Sequence, residues 1–582
     1  MMGESGLGRW RRSGGEGCKL VEVAALTFAC FGQRLNPRAR HYWSSQPPEI
    51  VHVCGQDLDV SRVSSCSSHV GFSQSTYLLR LEKGKVPPAA FTMLNDAAEG
   101  EDEVIVSVKQ KMHPHAVLIP YPTAGQLNPM LQLAELLQSR GFYITFVNTE
   151  FSRRQLLRTG GPGALGGTET FRFVTIADGV SQADHLGPDQ LVELWLSIQR
   201  NCPASLAELL LELNASSDVP RITCIVANYL MTFTQAVAEQ IGVPELVFWT
   251  TSACGLMASL QLGELVRRGY IPLKDESCLT NGYLDTAIDW IPGMKEMRLR
   301  DLSSFIRTTD HDDIFLKTEM EEVDYALKAW GLILNTFEDM ESEVLDALQG
   351  FFPRIYTLGA IGSLVERVAG GSRSTSPRLG FWREDRRCMD WLDAQQDASV
   401  IYVSFGSLTV LTVTQLMEFA WGLADSNHPF LWVIRADMVE GGAATLPEEF
   451  IEETKGRSFF AGWCRQGEVL SHPSIAGFLT HSGWNSMMES VACGVPVICW
   501  PGFAEQYTNC LYACEHWGFG MEIDQVVTRE QVKDVVVELM EGEKGKEMRK
   551  NAAKWKEMAA RATAQGGSSH GNLERLAADL NP

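Results

Sequence analysis

One run of residues narrows the fold more than any other. His115 to Pro120 (HAVLIP) is a short apolar strand, followed by the turn Tyr121 to Gln126 (YPTAGQ). Asn128 then reads as a helix N-cap, with Pro129 at the first helical position and Gly141 just past the end. Met130, Leu133, Leu136 and Leu137 share one helical face, and Tyr143 to Val147 makes a second strand. Strand, helix and strand in that order predict a parallel sheet with its ligands at the C-terminal ends of the strands.

The alternation continues through Ile222–Val226, Leu246–Trp249 and Leu332–Asn335. Gly362 to Pro377 is Gly/Ser-rich and aperiodic, as a linker would be. A second alternating pattern follows: strand Val400–Phe405, helix Val413–Leu423 and strand Phe430–Ile434, then strands Gly477–Thr480 and Val495–Trp500 around a helix Asn485–Cys493 closed by Gly494. At 582 residues the chain exceeds a single core. The expected fold class is α/β, two Rossmann-like domains facing across a cleft. The expected divisions are 1–111, a disordered extension; 112–360, the first Rossmann-like domain; 361–384, a linker; 385–562, the second; and 563–582, a final helix packing back on the first.

Charge limits the partners. Lys and Arg number 50 against 72 Asp and Glu, a net charge of −22. A surface that acidic repels nucleic acid and anionic membranes, so small-molecule partners are expected. Residues 1–111 are nearly balanced, so the acidic excess belongs to the rest of the chain. Met112, directly before the first clear strand, reads as a functional start, with a transit peptide as the second reading of what precedes it. Arg9, Arg11 and Arg12 before the apolar run Val23–Phe31 have the order of a signal peptide, but Glu22 and the lack of a small-residue cleavage site argue against one. With no apolar run long enough to span a bilayer, a cytoplasmic location is expected. Fourteen cysteines show no metal spacing; Cys510 and Cys514 are four apart, with no further ligands visible, so no metal is expected.

Two motifs misfire. Gly161-Pro-Gly-Ala-Leu-Gly166 fits G-x-G-x-x-G but follows no strand and opens no helix, which argues against a nicotinamide oxidoreductase. Asn214-Ala-Ser216 is a glycosylation triplet without consequence in a cytosolic chain.

The informative stretch is Trp463 to Gln506. Thr480-His481-Ser482-Gly483-Trp484-Asn485-Ser486 reads as a strand end, a tight glycine turn and a helix start, whose free N–H groups suit a diphosphate. Glu489, one helical turn on, is placed to accept bonds from ribose hydroxyls. Trp463 offers a flat face for a base. Glu505 and Gln506 follow the next strand end and suit sugar hydroxyls.

This segment resembles the signature box of the plant secondary-product glycosyltransferases, the family 1 UDP-glycosyltransferases of GT-B fold, at Trp463, Gln466, Leu470, His472, Phe478, His481, Gly483, Asn485, Ser486, Glu489, Gly494, Pro496, Pro501 and Gln506. The resemblance extends over roughly 113–580, through Phe405-Gly-Ser407, Ile291-Pro-Gly-Met294 to Asp301, and Asn335-Thr-Phe337, and is strongest to the branch acting on cyanohydrins, cytokinins and terpenoid alcohols. It implies UDP-glucose as co-substrate, with no other cofactor, and a small apolar acceptor. Trp463 would stack on uracil, Gln466 and Glu489 would hold ribose, Ser407, His481, Asn485 and Ser486 the diphosphate, and Glu505 and Gln506 the sugar. Cys464, Gly483 and Trp484 complete the expected donor site. The final Gln resembles glucose-using members, and Arg465 stands where Pro is frequent.

Two positions depart from the family. Its base is a His in a pattern like P-x-x-G-H-x-N-P; this chain has Pro122-Thr-Ala-Gly125-Gln126-Leu-Asn128-Pro129. The supporting Asp falls at Asn228. An amide cannot take the proton of an attacking hydroxyl, and a general base contributes about 10²–10⁴-fold, roughly 3–5 kcal/mol of barrier. Three readings stay open: an enzyme running on positioning and leaving-group stabilisation, an enzyme for acceptors that ionise unaided such as carboxylic acids, or another base such as His185. The alternative is a pseudoenzyme that binds UDP-sugar or a small ligand. Phe233, Phe248, Trp249 and Leu256 are expected to give the acceptor pocket an apolar lining.

Overall fold

The computed structural model of the chain describes residues 76–82, 103–109, 113–180, 190–369, 379–440 and 445–581. The chain divides into two units, Met1–Met112 and His113–Pro582.

In the first unit β1 (Thr76–Glu82) and β2 (Glu103–Lys109) pair antiparallel, from Thr76↔Lys109 to Glu82↔Glu103. This corrects the expectation of disorder for these two segments. Both sequences, TYLLRLE and EVIVSVK, carry β-branched and apolar residues at strand spacing, a signal that the segment's average composition hides. The rest of 1–111 lies outside the described residues.

The second unit holds two parallel sheets. The first comprises β3 (His115–Ile119), β4 (Tyr143–Thr149), β5 (Phe171–Ile176), β6 (Ile222–Asn228) and β7 (Glu245–Trp249). A two-residue ribbon, β8 (Ala287–Ile288) with β9 (Met297–Arg298), intervenes before β10 (Gly331–Leu334) and β11 (Ile355–Thr357) complete it. The order is β11-β10-β7-β6-β3-β4-β5. The second sheet is β12 (Val400–Ser404), β13 (Phe430–Val433), β14 (Ser458–Ala461), β15 (Ile475–Thr480), β16 (Val497–Cys499) and β17 (Gly520–Glu522), in the order β14-β13-β12-β15-β16-β17. In each sheet the chain adds strands outward on one side and then returns to the centre. The reversals fall between β3 and β6, and between β12 and β15, the switch points where open parallel sheets hold ligands.

Three local readings need correction. The first helix spans Ala124–Ser139, with Thr123 as N-cap, so Asn128 is not the cap and Pro129 lies inside. Asn228 is the last residue of β6, not part of a turn. The segment 361–384 is not all linker: Ile361–Val368 is a helix with Ile361 and Leu364 buried against the first sheet's core, while 370–378 lie outside the described residues. Apolar residues at 361, 364, 365 and 368 already carried helical spacing.

The helix Ser568–Asp579 lies on the first half: Tyr356 donates to Asp579 Oδ2 at 2.7 Å, Arg140 Nη2 meets Glu574 at 2.7 Å, and Leu573 and Leu576 enter its core. Among the described residues, no helix is long and apolar enough to cross a membrane.

Candidate functional site

A cleft of about 1080 Å³ runs between the two sheets' switch points. Gln126, Ser407, Trp463, Cys464, Gln466, His481, Gly483, Trp484, Asn485, Ser486, Glu489, Glu505 and Gln506 all line it. Asn228, wholly buried, stands one layer behind Gln126. His185 lies outside the described residues.

The second half's turn after β15 is built around His481. Its ring lies between two glycines: a Cβ on Gly406 would come within 2.5 Å of it and one on Gly483 within 2.4 Å. Gly406 also has φ +71°. The left-handed residue of the turn is Ser482 (φ 64°), however, not Gly483 as the motif suggests. Gly483 is needed for space, not for backbone freedom. It caps the helix Trp484–Cys493 with no side chain over the first turn, so the N–H groups there stay open to an anion. Burial and the nearby Arg435 lower His481 to about 4, so the imidazole is neutral at physiological pH. Its Nδ1 is buried and has no partner among the described residues, ready for a ligand oxygen.

Arg435 escaped the sequence reading. Buried to 3%, it donates from Nη1 to Gly406 O, from Nη2 to Thr409 O at 3.0 Å, and from Nε to Asp437 at 3.0 Å. It holds the loop that carries Ser407 and sets a positive charge behind the place a diphosphate would occupy. One arginine in an aperiodic run gives no sequence signal; only the fold brings it to the loop.

Further along, Gln466 Nε2 bridges Ser486 Oγ (2.9 Å) and Glu489 Oε2 (2.8 Å). Burial raises the Glu489 carboxyl and the Gln466 bond opposes that. Trp463 does not stand alone: Trp382 stacks on it, ring centroids 4.4 Å apart and 21° from parallel. Both rings line the cleft, so Trp382 is a second residue that sequence reasoning missed. Arg465, in place of the frequent Pro, pairs with Glu384 and with Glu468 at 2.9 Å. Cys464 is buried, its sulfur 3.4 Å from the Tyr402 hydroxyl.

Trp484 lines the cleft and also joins the two halves. It is 2% exposed, and its Nε1 donates to Asn335 O in the first half at 2.9 Å. It acts as a strut between halves beside the cleft. Gln506 lines the cleft too, and its Oε1 accepts from Gly502 N (2.9 Å) and Phe503 N (3.2 Å), shaping the loop that presents Glu505. Burial raises the Glu505 carboxyl to about 7.

On the first half, the amide pair has a defined orientation. Asn228 Oδ1 accepts from Leu230 N at 3.2 Å, which turns Nδ2 toward Gln126. Nδ2 then donates to Gln126 Oε1 at 3.1 Å, and Thr250 Oγ1 donates to the same oxygen. Both lone pairs of Oε1 are therefore used, leaving Gln126 its NH₂ group. The pair retains the shape of a dyad and can orient an acceptor oxygen, but has no site for its proton.

The loop bearing Gln126 is tied to the donor half. Pro129 lacks the N–H that would bond Gly125 O in the helix, and Asn485 Nδ2 donates to that orphaned carbonyl at 2.7 Å. Ser252 Oγ to Asn509 Oδ1 (2.7 Å) and Ala504 N to Ser304 Oγ (2.8 Å) also cross between the halves.

The acceptor end is not lined by the residues expected. Phe248 and Trp249 are core because β7 lies inside the sheet with both faces covered, Leu256 is buried in the helix Ala253–Leu260 that follows, and Phe233 packs with another core cluster. Tyr121, Trp195, Tyr229, Phe305, Phe315 and Glu322 line it instead. Burial, with Glu319, Glu321 and Glu505 nearby, raises Glu322 well above the usual carboxyl range.

Residues 385–555 match the family model described as UDP-glucoronosyl and UDP-glucosyl transferase. The chain is 50% identical over 465 residues to a 7-deoxyloganetin glucosyltransferase of Gardenia jasminoides, covering 79% of this chain and 96% of that protein. It is 49% identical over 470 residues to an (R)-mandelonitrile beta-glucosyltransferase of Prunus dulcis, covering 81% and 97%. Among solved structures, Os79 from O. sativa in complex with UDP superimposes with a TM-score of 0.68 at 27% identity, covering 80% of this chain and all of that one. Phytolacca americana UGT2, complexed with UDP-2fluoro-glucose and pterostilbene, gives 0.65 at 26% identity, covering 81% and all of that chain.

Proposed function

The chain belongs to the plant family 1 UDP-glycosyltransferases, and from that premise we propose that it moves glucose from UDP-glucose to a neutral hydroxyl of a small, largely apolar acceptor, in the cytoplasm. The observation that carries this reading is the cleft itself: the expected donor residues line one wall and aromatic rings another, with the amide pair Gln126–Asn228 between them.

In this reading uracil stacks on Trp463 and ribose bonds Gln466 and Glu489. The diphosphate takes the N–H groups of the helix Trp484–Cys493, the Ser407 and Ser486 hydroxyls and the neutral His481. Glu505 accepts from the sugar hydroxyls. The acceptor oxygen is held by the Gln126 NH₂ group and attacks the anomeric carbon. As the new C–O bond forms, the bond to the β-phosphate breaks and the negative charge on the leaving UDP is met by the helix N-terminus, with Arg435 behind it. The hydroxyl proton leaves to water. Positioning and leaving-group stabilisation then carry the rate.

Carboxylic acid acceptors are disfavoured because the wall that holds Glu319 and Glu322 is desolvated. Burial raises both carboxyls and favours their neutral forms, so an acceptor carboxylate placed beside them would bear the same desolvation cost. A second reading rests on Glu322, which lines the cleft with its carboxyl raised by burial: once ionised it would be a strong base for the acceptor hydroxyl. Glucoside formation from UDP-glucose with matched neutral alcohols and acids tests the first reading, which fails if only acids react. Glu322→Gln tests the second, which requires rate to be lost at alkaline pH.

A further inference from the structure

The sequence shows Cys510 and Cys514 four apart with no further ligand, but the fold supplies one. Cys499 ends β16, Cys510 lies in the helix Gln506–Leu511, and Cys514 lies in the wider turn Tyr512–His516 that continues it. Their three Sγ atoms lie within 4.8 Å of one another, and all three thiols are free. Some point between them then lies within about 2.8 Å of all three, close to the ~2.3 Å of a zinc–thiolate bond and closer still to the longer bonds of larger soft ions. Cys499 and Cys510 are buried, whereas Cys514 is half-buried and gives a way in.

A second observation points to the same place. Ser482 is wholly buried, its Oγ has no oxygen or nitrogen partner among the described residues, and it faces Cys499. Glu522, at the end of the neighbouring strand β17, adds a carboxylate near Cys499 and Cys514. The three sulfurs are soft donors suited to a thiophilic ion, with an oxygen donor and a negative charge beside them.

We propose that Cys499, Cys510 and Cys514 form a binding site for a soft, thiophilic divalent cation. On binding, three S–H bonds break and three metal–sulfur bonds form. The three protons leave to solvent and no group changes oxidation state. The site lies behind the donor loop. Ser482 follows His481, and its carbonyl accepts from Asn509 Nδ2 at 3.0 Å, next to Cys510. Gln506 opens the helix that carries Cys510. Drawing the sulfurs together shifts both segments, so the ion lowers UDP-glucose turnover.

Cadmium chloride alone, titrated into the reduced full chain, tests this through thiolate-to-metal charge-transfer absorption. X-ray absorption at the cadmium edge counts the sulfurs. The expected result is one ion per chain with three sulfurs. In Cys514→Ser the affinity falls at least tenfold and turnover resists cadmium, whereas Cys278→Ser behaves as the parent. Cys510→Ala gives the same loss by an independent route. An unchanged band in Cys514→Ser, no saturation at one ion, or fewer than three sulfurs would overturn the proposal. The edge measurement on the parent chain decides it even where a variant does not fold.

Discussion

Asn485 Nδ2 donates to Gly125 O at 2.7 Å, linking the first turn of the donor helix to the residue before Gln126. The bond exists because Pro129 cannot make it. A proline inside the first helix thus ties the loop of Gln126 to the donor half. Asn485→Ala removes one neutral hydrogen bond, worth about 1 kcal/mol. We expect kcat/KM to fall roughly 5- to 10-fold with the fold intact, which steady-state kinetics beside circular dichroism will check.

The tryptophan stack makes a graded prediction. Base stacking on an aromatic ring is worth about 1–3 kcal/mol. Trp463→Ala should weaken UDP binding by that amount, and Trp382→Ala by less, because Trp382 acts by holding Trp463 flat. Isothermal titration with UDP measures both. Equal losses would mean that the base enters between the two rings.

Trp484 separates a strut from a binding residue. Trp484→Phe keeps the ring but loses the bond to Asn335 O, costing about 1 kcal/mol of stability. The KM for UDP-glucose should stay within about twofold, since no bond to the donor is assigned to the indole. Denaturant unfolding and kinetics on the same preparation check it.

Glu505 gives the pH dependence. Burial raises its carboxyl from 4.5 to about 7, so the anion that accepts from sugar hydroxyls forms as pH rises through 7. The KM for UDP-glucose should fall between pH 6 and 8, and Glu505→Gln should flatten the profile. The same group acts on stability with the opposite sign. The folded chain holds the proton more tightly, so this contribution is full below pH 4.5 and is lost as pH rises to about 7.

Much of the site was legible because it is local. The segment Trp463 to Gln506 carries a strand end, a turn and a helix start in one stretch, and a glycine spacing located Gln126. What escaped is non-local. Arg435 and Trp382 reach the site from other strands and loops, and Cys499 joins Cys510 and Cys514 only through the order of β15, β16 and β17. The first helix's start was misplaced because its true cap, Thr123, makes no side-chain bond, whereas Asn128-Pro129 imitates a cap. The apolar residues of β7 read as a pocket because sequence cannot tell a strand's two buried faces from one facing a ligand.

The central claim is that the Gln126–Asn228 pair keeps the geometry of a dyad while leaving the proton without a base. Asn228 already faces residue 126, so Gln126→His with Asn228→Asp would set an imidazole against a carboxylate without moving the backbone. The most direct measurement is the rate of glucoside formation, by mass spectrometry, for the natural chain and this double variant with UDP-glucose and one neutral alcohol. The account predicts slow but real turnover in the natural chain and a rate about 10²-fold or more higher in the variant. A variant no faster than the natural chain would contradict it, and would mean that another group already takes the proton.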